Sequence, residues 1–152
     1  MVKVLVKKLD PKVQLPSYKT KGSSGMDLMA FIKDPIKIAP NTSALIPTGI
    51  SVAISSDVEI QIRSRSGLAA KSSISVLNSP GTIDSDYRGE ILVMLINHSK
   101  KDFEISRGMR IAQMVISKVE QFNLVSVDQL DTTERGQGGF GSTGNLIKKD
   151  EG

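Results

Sequence analysis

Apolar and polar positions alternate along much of this chain. "VKVLVK" puts Val2, Val4 and Val6 on one side, with Leu5 interrupting the polar side. "GISVAIS" repeats the pattern with Ile50, Val52 and Ile54, and "DVEIQIRS" with Val58, Ile60 and Ile62. A period of two marks a strand with one buried face. "RIAQMVIS" and "LVSVDQL" predict further strands, and "ILVMLI" predicts a strand apolar on both faces. Glycines and prolines punctuate these runs at short intervals. Many short strands with few helical windows predict an antiparallel sandwich or barrel. The one helix-like stretch, "SGLAAKSS", is too short to change the class. From Arg135 the alternation stops, and "RGQGGFGSTGNLIKKDEG" reads as a flexible, Gly-rich tail. The expected organisation is one β domain over 1–134 and a tail over 135–152, without internal repeats.

Composition narrows the chemistry. At 152 residues with 39% hydrophobic content, one domain can bury a real core, but with 4% aromatics it must be built from Val, Ile, Leu and Met. There is no Cys, which removes disulfides, thiolate nucleophiles and Cys-ligated metals and favours an intracellular protein. The N-terminus lacks the apolar core of a signal peptide, and no segment is long enough to span a bilayer. The net charge is +4, yet Lys and Arg are scattered, with no basic block interleaved with aromatics. That argues for a solvated surface rather than a nucleic-acid face, and it also suits a small anionic ligand. The single histidine, His98, follows a strand beside Ser99, Lys100 and Lys101. One such residue supports neither a Ser-His-Asp system nor a zinc site, so acid–base work falls to carboxylates, Lys and Tyr.

The candidate chemistry is concentrated in "NSPGTIDSDYRGEILVMLIN", residues 78–97. Asp84, Asp86, Tyr87 and Arg88 lie between Gly81 and Gly89, just ahead of the most hydrophobic strand. A polar hairpin turn accounts for the Asp and Gly residues, less well for Tyr87, and not for "NSPG" upstream. Asn78 and Gly81 suggest a pocket floored by main chain. In "RSRSGLAAK", Arg65, Ser66 and Gly67 combine a guanidinium fork, a hydroxyl and an approachable backbone N–H, an anion-binding set; an exposed basic loop is an equal alternative. "RGMRIAQ" offers Arg110 and Gln113 on a strand. The tail holds a literal G-x-G-x-x-G at Gly136, Gly138 and Gly141, but without the strand before and helix after that a dinucleotide site needs. Its glycines would let the backbone wrap a ligand. Arg135, Ser142 and Thr143 suit phosphate oxygens, and Phe140 suits a flat ring.

In this order, "SSGMDLMA" (23–30), "RSGLAAK" (65–71), "NSPGTIDSDYRGE" (78–90), "GMRIAQ" (108–113) and "RGQGGFGSTG" (135–144) resemble the motifs of the trimeric dUTPases. The third and fifth are the most specific. Met26, Ser64 and Met109 depart from the usual pattern without removing a chemical group. The resemblance implies a β jelly roll assembled as a homotrimer, with sites between subunits. It implies Mg²⁺-assisted hydrolysis of dUTP to dUMP and pyrophosphate, lowering dUTP and supplying dUMP for thymidylate synthesis. Asp84 would orient the attacking water and Gln113 would assist. Tyr87 would pack against the sugar, and Asn78, Gly81 and Ile83 would form the uracil-reading hairpin. Arg65, Ser66 and Gly67 would contact phosphate. Arg135, Phe140, Gly141, Ser142 and Thr143 would close over the nucleotide. Mg²⁺ would be held by the phosphates and water, with Asp27 nearby rather than as a direct ligand. A dCTP deaminase of the same fold is disfavoured by the complete Gly-rich tail and the "IDSDYRG" turn, and a non-catalytic β-sandwich module or regulator by the joint presence of Asp84, Arg65, Ser66, Gln113, Arg135 and Phe140.

Overall fold

The structure, a computed structural model, describes residues 3–140. The chain divides into Met1–Glu120, which carries all the regular elements among the described residues, and Gln121–Gly152. The first unit has β1 (Leu5–Lys8), β2 (Met26–Met29), β3 (Ile36–Ile38), β4 (Ser43–Ala53), β5 (Val58–Arg63), α1 (Ser66–Ser72), β6 (Ile74–Val76), β7 (Gly81–Ile83), β8 (Glu90–Asn97), β9 (Phe103–Ile105) and β10 (Arg110–Lys118). One sheet runs β1-β4-β8-β6, the other β2-β10-β5-β7, and β3 pairs with β9. Every pairing is antiparallel. From β4 to β8 successive strands alternate between the two large sheets. Their inward rows meet in one core: Ile46, Ile50 and Val52 with Ile91, Val93 and Leu95 from the first sheet, and Leu28, Ile60, Ile62, Ile111 and Met114 from the second. This is the expected all-β sandwich, its core aliphatic as the composition required.

β4, the longest strand, pairs with both β1 and β8 and carries a bulge midway. Its register with β8 shifts between Pro47 and Ser51. Pro47 has no N–H to donate, and Gly49 turns into the left-handed region at φ 73. The groups this disruption frees find partners: Thr48 Oγ1 donates to Ile91 O at 2.6 Å, and Gly49 N donates to Glu90 Oε1 at 2.7 Å. Asn97, fully buried at the end of β8, donates to Ile38 O and Lys101 O and accepts from Ser99 N, tying that corner to β3.

One expected strand is missing. "LVSVDQL" has strand periodicity, but residues 119–130 form no strand. Periodicity specifies a strand only where a neighbouring edge pairs with it and a core covers one face. Here Phe122, Leu124, Val125, Val127 and Leu130 are all exposed. The first unit shows a related anomaly on β8. Ile91, Val93 and Leu95 face the core, yet the outward row, Leu92, Met94 and Ile96, is apolar too. Leu92 is exposed, as are its neighbours Leu45 on β4 and Leu77 just after β6.

Candidate active site

The register of the second sheet sets Asp27, Gln113 and Arg63 side by side across β2, β10 and β5. Arg65 lies two residues past the end of β5 in extended conformation, just ahead of α1. Its side chain therefore turns back across β10. Arg65 Nε meets Asp27 Oδ1 at 2.8 Å, and Arg65 Nη1 donates to Arg110 O at 3.0 Å. Arg110 Nη1 reaches the other carboxylate oxygen of Asp27 at 3.2 Å. The Asp27 side chain is 16% exposed, Arg65 25% and Arg110 52%. Two guanidiniums share one carboxylate, so the cluster keeps a net positive charge and donors to spare for an anion.

Gln113 is fixed beside them by a bond from its Nε2 to Ser64 O at 3.0 Å. Its amide oxygen needs a neighbour without a side chain: a Cβ on Gly25 would come within 2.7 Å of it. Ser66 and Gly67 open α1 on the exposed side, and a Cβ on Gly67 would meet open space. Arg65, Ser66, Gly67, Gln113 and Asp27 are thus gathered at one end of the second sheet. The sequence marked Arg110 only faintly, and it missed its hold on Asp27. A pairing across eighty-odd residues leaves no local signal. Ser64, noted only as a departure from pattern, accepts from Gln113 through its carbonyl and from Val76 N through its hydroxyl.

The segment 77–89 does not form hairpins. Residues 77–80 cross from β6 in the first sheet to β7 in the second, and 84–89 cross back to β8. The apolar strands on either side of each turn belong to opposite walls of the core, so they cannot pair with one another. Asn78 is exposed, and its side-chain amide lies over Gly81, where a Cβ would stand 3.0 Å from Asn78 Nδ2. Ile83, half-buried, pairs with Ile60. Asp84 is exposed and its carbonyl accepts from Tyr87 N at 3.1 Å. Tyr87 donates its hydroxyl to Glu90 O at 3.0 Å, and Arg88 Nη1 donates to Ser85 O and Tyr87 O.

These two groups of residues are well separated along β5. Gly81 sits opposite Ile62 and Ile83 opposite Ile60, so Asp84 falls level with Glu59 near the Val58 end of β5, while Arg65 lies six residues along, beyond the Arg63 end. At about 3.3 Å per residue, the backbones of Asp84 and Arg65 are roughly 20 Å apart. The Arg65 side chain is directed at Asp27 on the neighbouring strands and does not shorten that gap.

In the second unit, Arg135 Nε donates to Gly138 O at 2.9 Å across a turn closed by Gly138 N to Arg135 O at 3.1 Å. Phe140 is fully exposed. Gly141, Ser142 and Thr143 lie outside the described residues. Among the described residues no three His, Asp or Glu side chains gather to hold a cation, and both Asp27 oxygens already accept from guanidiniums. No helix among them is long and apolar enough to cross a membrane.

The family profile for dUTPases matches residues 11–144. A deoxyuridine 5'-triphosphate nucleotidohydrolase of Rickettsia bellii is 57% identical over 145 residues, covering 95% of this chain and 97% of the relative. That of Orientia tsutsugamushi is 57% identical over 130 residues, covering 86% and 88%. Among solved structures, a dUTPase of Staphylococcus bacteriophage 80alpha with dUPNHPP superposes with a TM-score of 0.85 at 24% identity, over 94% of this chain and 99% of that one. A dUTPase from phage phi11 of S. aureus, described as coordinating a structural Mg(II) ion, gives 0.77 at 20% identity, over 86% and 99%.

Proposed function

This chain belongs to the dUTPase family and hydrolyses dUTP to dUMP, and we propose that it does so as a homotrimer whose active sites form between subunits. The observation that carries this proposal is the separation of Asp84 from Arg65. A base that orients water at one phosphorus and a guanidinium that holds the same triphosphate must come within several ångströms of each other. One copy holds them roughly 20 Å apart along β5. A rotationally symmetric assembly brings the Asp84 end of one copy to the Arg65 end of the next, and repeats the contact until the ring closes. The outward apolar row Leu92, Met94 and Ile96, with Leu45 and Leu77, supplies a surface that association would cover.

Within such a site Asp84 orients and deprotonates the attacking water, with Gln113 beside it. General-base assistance of this kind contributes about 10²–10⁴ in rate. Tyr87 walls off the 2′ side of the sugar, while Asn78, Gly81 and Ile83 present main chain and one amide to uracil. Arg65, Ser66 and Gly67 take the phosphates. Arg135, Phe140, Gly141, Ser142 and Thr143 complete the site over base and terminal phosphate. The arginine-rich cluster suits a triphosphate that arrives with its own cation, so Mg²⁺ enters as part of the substrate, neutralising phosphate charge. With both its oxygens engaged, Asp27 serves the arginines and not the ion. We place the enzyme inside the cell with its nucleotide substrate. Pyrophosphate release from dUTP, with dCTP and UTP as controls and with and without chelator, tests this reading alongside sedimentation of the assembly. A monomer with full activity would refute it.

A further inference from the structure

Tyr87 sits on a floor made by its own turn. A Cβ on Gly89 would lie 2.5 Å from Tyr87 Cζ and 3.0 Å from Cε2, and nearer still to the phenol oxygen. The ring end struck by such a methyl is the end that donates to Glu90 O at 3.0 Å. Glu90 is itself anchored, because its carboxylate accepts Gly49 N at 2.7 Å from the β4 bulge. That bulge is tightly packed: a Cβ on Gly49 would come within 2.5 Å of Val13 Cγ2 and 3.0 Å of the Phe31 ring. The chain of contacts therefore runs from the core through Gly49 and Glu90 to the phenol. It leaves Tyr87 fixed yet 43% exposed.

We infer that Gly89 and the carbonyl of Glu90 form a latch that sets the position of the Tyr87 ring, and that Gly89 determines discrimination between deoxyribose and ribose. The inference rests on Tyr87 as the sugar wall. Excluding one hydroxyl is a matter of about an ångström, and ordinary carbon–carbon contact needs about 3.5 Å. A methyl at position 89 thus displaces the ring by about 1 Å, starting at its bonded end. The bond to Glu90 breaks and the wall loosens. Tyr87→Phe removes the same bond while leaving the floor intact, so it loosens the wall less.

The test measures kcat/KM for dUTP, UTP and dCTP in wild type, Gly89→Ala, Tyr87→Phe and Tyr87→Ala, with sedimentation confirming assembly. An added hydroxyl is rejected by a pocket wall by about 10²-fold. Tyr87→Ala removes that factor. Gly89→Ala lowers the dUTP/UTP ratio about tenfold and Tyr87→Phe about threefold, while the dUTP/dCTP ratio stays within twofold of wild type in each. An unchanged dUTP/UTP ratio in Gly89→Ala or in Tyr87→Phe, with Tyr87→Ala impaired, overturns the latch but leaves the sugar wall standing. An unchanged ratio in Tyr87→Ala removes the wall itself. Should Gly89→Ala fail to assemble, the Tyr87→Phe ratio decides alone. A matching loss of base selectivity would mark Gly89 as structural and likewise overturn the proposal.

Discussion

Replacing Asp27 with Ala should lower both activity and stability, and the structure sets the size of each effect. The 2.8 Å bond from Arg65 is charge-assisted and its two side chains are 16% and 25% exposed. Such a bond contributes about 1.5–3 kcal/mol. The 3.2 Å pair with Arg110 is more open, Arg110 being 52% exposed, and screening holds its share to about 1 kcal/mol or less. A combined loss of about 2–3 kcal/mol corresponds to a melting temperature lower by about 4–10 °C for a domain of this size. Freed from Asp27, Arg65 is also repelled by Arg110 and loses its direction. Misplacement by an ångström in a positioning group costs up to about 10²-fold, so kcat/KM for dUTP should fall between tenfold and a hundredfold. Thermal unfolding and steady-state dUTP hydrolysis, with the Arg65→Ala single and the double mutant, complete a cycle. If Asp27→Ala retains kcat/KM within twofold of wild type, Asp27 does not position Arg65. A lowered melting temperature with unchanged kinetics would leave it a structural residue only.

Gly25→Ala should push the Gln113 amide off Ser64 O, since the new Cβ would stand 2.7 Å from Gln113 Oε1. The expected result is at least a tenfold fall in kcat for dUTP with the assembly intact; an unaffected kcat would show that Gln113 has room to move. Met94→Lys places a charge in the outward apolar row of β8, and sedimentation should show dissociation with activity lost in parallel; a stable, active assembly would put the interface elsewhere. Truncation before Arg135 removes residues that, through Phe140, are almost all exposed. It should leave the melting temperature within about 2 °C while dUTP turnover drops severely, because a closing segment completes a catalytic set without contributing core. Intact turnover would assign the tail no part in the reaction.

The all-β class was legible because aliphatic alternation is a local property that a sandwich obeys throughout. β5, β8 and β10 fall where the pattern predicted them, while β1 starts three residues later than "VKVLVK" and the 43–48 half of β4 carried no predicted strand. The same rule failed at "LVSVDQL", whose alternation is as good but which finds no strand to pair with in the described chain. Alternation reports what a segment can bury, not where. The turn chemistry of "DSDYRGE" was visible as Asp and Gly, yet its course between sheets was not. A crossing and a hairpin need the same turn residues and differ only in which wall each flanking strand joins. The cluster around Asp27 shows the limit most clearly. Asp27, Arg65 and Gln113 could each be picked out by motif, but Arg110 gains its meaning from a carboxylate far away in the chain and adjacent only across the β2–β10 register. Gly25 and Gly89 appear in sequence as flexible punctuation, whereas in the fold they are spaces kept clear for Gln113 and Tyr87.

Complementation tests the site between subunits most directly. Asp84→Asn and Arg65→Ala are each prepared as inactive assemblies, then unfolded together at equal concentration, refolded and assayed for dUTP hydrolysis. If each site takes Arg65 from one copy and Asp84 from its neighbour, random mixing leaves about one site in four with both residues intact. The mixture should then recover about a quarter of wild-type activity, and separately refolded controls should recover none. Mixed assemblies that stay as inactive as their parents would place both residues in a site within one copy and contradict the account.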